Sequence, residues 1–156
     1  MKKNCLSLAI SFLCMLSFVA TLGAAEKKPA SAAKKIIVTP NELQWKQGPA
    51  AVPEAKMAVL EGDPKQKGFF VMRIKLPAGS KIPLHVHENI ERVTVISGKI
   101  NLAMGDRAEN PIELPAGSYF SLAPNIPHNV SVAEETVLQI ATFGPWTFKP
   151  LKKGAQ

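Results

Sequence analysis

Apolar and polar residues alternate along this chain in short runs, and no long stretch repeats with the 3.6-residue period of a helix. The clearest run covers residues 70–76, where every second side chain is apolar while Arg73 and Lys75 occupy positions between them. Gly, Pro, Asn and Asp interrupt such runs at intervals of roughly eight to twelve residues. This pattern predicts an all-β sandwich or barrel.

The individual runs place eight strands along the chain. The Ser97-Gly98 pair between two of them is interpreted as a two-residue turn that joins antiparallel neighbours. Most of the 13 prolines fall at the ends of the runs, where a missing N–H group costs least. The predicted strands are 57–60, 70–76, 81–87, 91–96, 99–104, 119–122, 128–132 and 136–143.

The first 25 residues have the layout of a secretory signal peptide. Two lysines precede an apolar stretch, and small residues lead up to a predicted cleavage site after Ala25. We therefore expect the mature protein to be exported to the periplasm or the extracellular space. The rival interpretation is a retained membrane anchor, for which the apolar stretch is rather short.

The rest of the chain divides into three parts. Residues 26–38 are rich in Ala, Lys, Ser and Pro and predict a flexible linker, residues 39–150 predict one β-barrel domain, and residues 151–156 form a basic tail. Both cysteines, Cys5 and Cys14, lie in the predicted signal peptide. The mature protein would then have no disulfide, thiolate nucleophile or cysteine metal ligand.

The net charge of +7 is concentrated at the two ends of the chain. Between residues 41 and 148, 10 Lys and Arg residues stand against 11 Asp and Glu residues, a net charge of −1. A domain so close to neutral has no basic surface of the kind that binds phosphate backbones. We expect no nucleic-acid partner, and no stable membrane insertion after cleavage.

The whole chain contains three histidines: His85, His87 and His128. His85 and His87 are two residues apart, so on an extended strand both side chains leave the same face. Glu91 follows four residues later and could turn its carboxylate to the same point, and His128 would complete the set from another strand. Three imidazoles and a carboxylate suit Mn, Fe, Ni, Cu or Zn rather than Ca or Mg. These four residues are the predicted metal ligands.

Residues 79–98 resemble the first cupin motif, in which Gly79, the pair His85 and His87, Glu91 and Gly98 keep the family's spacing. Residues 117–128 are similar to the second motif and keep its distance from glycine to histidine. The sequence departs from this motif at two positions inside these residues and at one position just after them. Pro124 falls one place late, Val132 replaces an asparagine, and Asn125 replaces a glycine, a mild change because asparagine tolerates a left-handed backbone.

The resemblance covers residues 51–148 and implies a small jelly-roll barrel with a metal ion inside. The chain is also similar to a group of exported bacterial single-domain cupins that have no settled reaction. In related proteins such sites support oxidation, decarboxylation or isomerisation of small oxygen-rich molecules, so a metal-dependent (Mn/Fe-type) dioxygenase or isomerase is one interpretation. A non-catalytic cupin that binds or senses a small molecule or a metal is the other. The resemblance further implies a homodimer.

No histidine is left over to act as a general acid or base. That role would fall to Glu88, Tyr119, a metal-bound water or the substrate itself, and the catalytic residues stay unassigned. Glu88 is interpreted chiefly as a solvated residue. Trp146 and Phe148 are interpreted as packing residues of the core or the barrel rim rather than as a substrate cage.

Overall fold

The computed structural model of the protein describes residues 35–152. The predicted signal peptide, most of the predicted linker and the last four residues lie outside the described residues. Residues 35–39 have no regular secondary structure, and a short 3-10 helix follows at Pro40–Glu42. Within the described part of the chain, no helix is long and apolar enough to cross a membrane.

Eleven β-strands in the described residues form two antiparallel sheets, which confirms the predicted all-β class. The first sheet contains, in spatial order, β1 (Lys46–Gln47), β2 (Lys56–Glu61), β3 (Gly68–Leu76), β10 (Thr136–Gly144), β5 (Glu91–Ser97) and β8 (Tyr119–Leu122). The second contains β11 (Lys149–Pro150), β4 (Lys81–Val86), β9 (His128–Ser131), β6 (Lys99–Met104) and β7 (Glu109–Pro115).

The hydrophobic core includes apolar residues of both sheets. In β3 every second side chain is buried, as the alternation of residues 70–76 predicted, because successive residues of a strand point to opposite faces. The same alternation is seen along β5 and β10. The most deeply buried large side chains of this core are Phe70, Met72, Leu76, Ile100, Val93 and Val95.

The predicted strands correspond to β2–β6 and β8–β10, with ends that differ by at most two residues. Three strands were not predicted. β1 and β11 are only two residues long, too short for a periodic pattern. β7 lies at the edge of its sheet and is exposed at nearly every position, so its sequence shows no alternation.

The predicted hairpin at Ser97-Gly98 is wrong. β5 and β6, which flank Gly98, belong to different sheets and do not pair with each other. Gly98 has a φ of 71° and turns the chain tightly across the edge of the barrel, where a Cβ atom would lie 2.5 Å from Thr136 Oγ1. Glycine is therefore required here for a change of sheet, not for a two-residue hairpin.

Candidate metal centre

The four predicted ligands lie together between the two sheets. His85 on β4 and His128 on β9 are direct partners in the strand register, and His87 follows just after β4 ends. Glu91 is the first residue of β5, in the opposite sheet. All four residues are buried, with at most 5% of their surface exposed.

Their polar atoms converge on one small region. His85 Nε2 lies 3.0 Å from His87 Nε2, and one ligand nitrogen from each of the three histidines falls within 4.8 Å of the others. Glu91 reaches the same region from the other sheet, with Oε1 3.4 Å from His87 Nε2 and Oε2 3.3 Å from His128 Nε2. The three histidines are thus positioned to bind a metal ion.

Each histidine uses its other ring nitrogen on the main chain. The Nδ1–H of His85 donates to the carbonyl oxygen of Pro83 at 2.7 Å. In the same way, His87 donates to the carbonyl of Thr147 at 2.5 Å, and His128 donates to the carbonyl of Ile126 at 2.9 Å. A carbonyl oxygen only accepts, so each Nδ1 carries a proton and a neutral ring has its lone pair on Nε2. This arrangement fixes ring orientation in histidine metal ligands.

The Nε2 atoms of His85 and His87 are 3.0 Å apart, and when both rings are neutral each of these atoms carries a lone pair. Such lone pairs repel unless a positive species lies between or beside them. Imidazole nitrogens with one carboxylate form a donor set that suits a divalent transition metal. The residues present fit such an ion.

Burial and neighbouring charges shift the pKa values of the site in opposite directions. Burial, with the nearby His128, lowers the pKa of His85 from 6.5 to about 4, so this ring is neutral at neutral pH. Burial acts to raise the pKa of Glu91, but the hydrogen bond with His128 and the imidazoles outweigh it and the pKa is lowered. Burial acts to lower the pKa of His128, and the Glu91 carboxylate reverses this and raises it.

A segment that follows β10 encloses the histidines. The ring of Phe148 stacks on His85 with centroids 4.3 Å apart, and the indole of Trp146 stacks on His87 with centroids 5.5 Å apart. Thr147, between them, provides the carbonyl that holds His87. The sequence interpretation of these aromatic residues as packing overlooked this contact with the site. Their spacing of two was the available signal, because in an extended segment it puts both rings on one side.

The departures from the second cupin motif leave His128 in place. Asn125 has a φ of 62°, the left-handed conformation expected for a residue that replaces glycine, and its N–H donates to the carbonyl of His87 at 2.9 Å. Val132, where the family has asparagine, is buried in the core.

A cavity with a free volume of about 40 Å³ lies beside the four residues. Twelve of its seventeen lining residues are purely apolar. Glu88 and Tyr119, the suggested acid or base residues, do not line it. Glu88 is exposed and pairs with Lys149, and Tyr119 is 59% exposed. Their suggested catalytic role is therefore not supported by their position.

A family model described as a domain of unknown function, DUF4437, matches residues 20–148. The chain belongs to this family. Among proteins of curated function, none matches the chain.

Solved structures share the fold of this DUF4437 member at low sequence identity. The polyketide cyclase RemF from Streptomyces resistomycificus has a TM-score of 0.67 at 13% identity, over 76% of this chain and 87% of that one. An acetylacetone dioxygenase from Acinetobacter johnsonii has a TM-score of 0.61 at 19% identity, over 78% of this chain and 80% of that one. An RmlC-like cupin from Shewanella frigidimarina has a TM-score of 0.56 at 14% identity, over 77% and 95%. The chain thus has the fold of these proteins, and the predicted cupin-type jelly-roll barrel is confirmed.

Proposed function

We propose that this DUF4437 protein is a metalloprotein that holds one divalent transition-metal ion through His85, His87, Glu91 and His128. The observation that carries the proposal is the facing pair of Nε2 atoms on His85 and His87, whose Nδ1 protons are committed to main-chain carbonyls. Neutral rings in this arrangement need a cation to become favourable neighbours. The Glu91 carboxylate supplies negative charge on the opposite side of the same region.

We further propose that the protein is an enzyme that acts on a small oxygen-bearing molecule in the barrel. Bound in this site, the ion would supply a Lewis acid or a redox centre. The four ligands would hold the ion at a fixed position. The cavity wall would exclude bulk water, because it is mostly apolar. Fold similarity to an acetylacetone dioxygenase and a polyketide cyclase supports an enzymatic role, as an oxidoreductase, decarboxylase or isomerase.

A second candidate is a cupin that binds a small molecule or a metal without turnover. One observation favours it. Apart from the four proposed ligands, Trp146 is the single polar side chain among the residues that line the cavity, and an indole does not act as a general acid or base. Proton transfer by the protein would then have to use one of the four ligands.

Elemental analysis tests the metal proposal. We expect about one transition-metal ion per chain in protein purified from its native compartment, since expression in another cytoplasm could load the wrong ion. Because we also propose export, that compartment is expected to be the periplasm or the medium. The variants His85→Ala and His128→Ala should lose the ion. Asn129→Ala, next to His128 but outside the site, is the matched control. Native protein that is folded and free of metal would contradict the proposal.

Activity assays separate the two functional candidates. The metal-loaded protein is tested under air with a panel of small diketones, keto acids and hydroxy acids, together with a Glu91→Ala variant that retains metal. Turnover that Glu91→Ala abolishes supports the enzyme. Tight binding without turnover across the panel supports the binding protein.

A further inference from the structure

The wall of the cavity has few groups that can form hydrogen bonds. Among the described residues that line it, the polar side chains are the three histidines, Glu91 and Trp146. The remaining lining is aliphatic or phenyl, from residues such as Ile74, Val93 and Phe120. A ligand that fills this space therefore meets polar partners at one end and apolar surface elsewhere.

Trp146 is the one polar lining residue whose hydrogen-bond donor is unused. Its Nε1–H is buried and has no hydrogen-bond partner among residues 35–152. Buried indole N–H groups normally find a partner, because burying a donor without one is unfavourable. The residue itself is well fixed. Its backbone N–H donates to the carbonyl of Pro64 at 2.7 Å, and its ring lies within 18° of parallel to His87.

We propose that the Trp146 Nε1–H donates to an oxygen of a bound ligand, and that this ligand is a compact, mainly apolar molecule with a single oxygen-bearing head group. The proposal rests on the metal site proposed above, because the head group would lie against the histidine cluster. The Trp146 indole stacks on His87 with ring centroids 5.5 Å apart, so the residue that carries the donor lies beside the cluster.

The apolar wall determines which molecules fit. Each additional hydroxyl on the ligand would lose its hydrogen bonds to water and find no replacement along the wall. The free volume of about 40 Å³ exceeds the roughly 10–15 Å³ that one water requires, so several water-sized groups fit. The ligand class is therefore narrower than the oxygen-rich molecules that the sequence suggests, and it excludes sugars and polyols.

The test uses two acids of equal size on Zn²⁺-loaded full-length protein. Butyrate and 3-hydroxypropanoate share a carboxylate and differ only at the far end, a methyl against a hydroxyl. Binding is followed on the indole N–H signals in ¹H–¹⁵N NMR spectra. The chain has two tryptophans, and Trp45→Phe assigns the signals and is the matched control, since Trp45 lies outside the cavity beneath Lys75.

We expect butyrate to move the Trp146 indole proton downfield and to leave the Trp45 signal in place. Butyrate should bind about tenfold more tightly than 3-hydroxypropanoate. Trp146→Phe, which keeps the aromatic stack and removes the donor, should weaken butyrate binding by about tenfold. Trp45→Phe should bind butyrate as the wild type does.

Three results would overturn the proposal: an indole signal of Trp146 that does not respond to bound butyrate, equal affinities for the two acids, or no binding of either acid at tens of millimolar. The zinc content, measured beforehand, distinguishes failure of the proposed metal site from failure of the proposed role of Trp146. Protein without zinc contradicts the metal site. Protein with one zinc ion and an unresponsive indole contradicts only the role of Trp146.

Discussion

Phe148 stacks on His85 with its ring plane only 17° from that of the imidazole. The next residues form β11, which pairs with β4 and has Pro150 opposite His85. The contact therefore holds the imidazole from one side while the Pro83 carbonyl holds Nδ1. Removal of the Phe148 ring should allow the His85 imidazole to turn away from the point where the proposed ligands converge.

We expect Phe148→Ala to weaken metal binding by about two- to tenfold, because an aromatic pair contributes about 0.5–1.5 kcal/mol beyond its buried area. Phe148→Leu keeps apolar volume without a ring, so its metal affinity should lie between that of Phe148→Ala and that of the wild type. Competition with a fluorescent chelator measures the affinities. Wild-type affinity in Phe148→Ala would show that the stack does not orient His85.

A buried hydroxyl should help to position Glu91. Thr142 on β10 donates to the carbonyl of Ile90, the residue before Glu91, at 2.6 Å. Thr142→Val keeps the shape but leaves that carbonyl without this donor, and we expect a loss of about 1–2 kcal/mol in the free energy of unfolding. Metal affinity should fall as well. Thr94→Val on β5 is the control, and urea denaturation with metal titration is the measurement. Equal effects of the two variants would contradict the prediction.

The site should titrate in a characteristic way once metal is removed with a chelator. His85 has a pKa of about 4, so its ring signals in NMR spectra should stay unchanged as the pH falls from neutral towards 5. The pKa of His128 is raised, so its ring should protonate above the ordinary 6.5. A His85 ring that titrates near 6.5 would contradict this.

These shifts have opposite effects on the stability of the metal-free protein. The pKa of His85 is lower in the folded than in the unfolded protein, so its contribution to stability is lost as the pH falls from about 6.5 to about 4. The pKa of His128 is higher in the folded protein, so its contribution is present below 6.5 and is lost as the pH rises through the folded value. Bound metal should remove both dependences near neutral pH.

Two glycines that both have a positive φ angle should respond differently to alanine. Gly79 has a φ of 81° with nothing near its missing Cβ, so Gly79→Ala should cost about 1–2 kcal/mol from the left-handed conformation. Gly98→Ala meets Thr136 Oγ1 and the carbonyl of Glu135 at 2.5 and 2.6 Å, which should add about 1–3 kcal/mol. Urea denaturation compares the two. Similar losses would mean that the sheet change at Gly98 adapts easily.

The sequence predicted the strands that bury one face, because burial imposes an alternation that can be read directly. It did not predict β7, which is exposed on both faces, or the pairing across Gly98. A tight glycine turn looks alike in sequence whether the chain folds back on its own sheet or crosses to the other. Which of the two occurs depends on the partners that β5 and β6 find far away, on β10 and β9.

The predicted ligands came together because their positions follow from spacing. His85 and His87 share a strand face, and the cupin spacing includes Glu91 and His128. The roles of Trp146 and Phe148 could not be predicted in the same way. Their contacts with the histidines depend on where the segment after β10 returns to β4, and a contact between residues about sixty positions apart leaves no local pattern.

His85 and His128 lie on strands of one sheet, His87 directly follows one of these strands, and Glu91 begins a strand of the other sheet. An ion held by all four would tie the two layers together, so its radius and the gap between the layers must agree. Core side chains that set this gap, such as Val93 or Val130, would then influence which metal the protein prefers without touching it. In this barrel, the hydrophobic packing between the sheets would help to select the size of the bound ion.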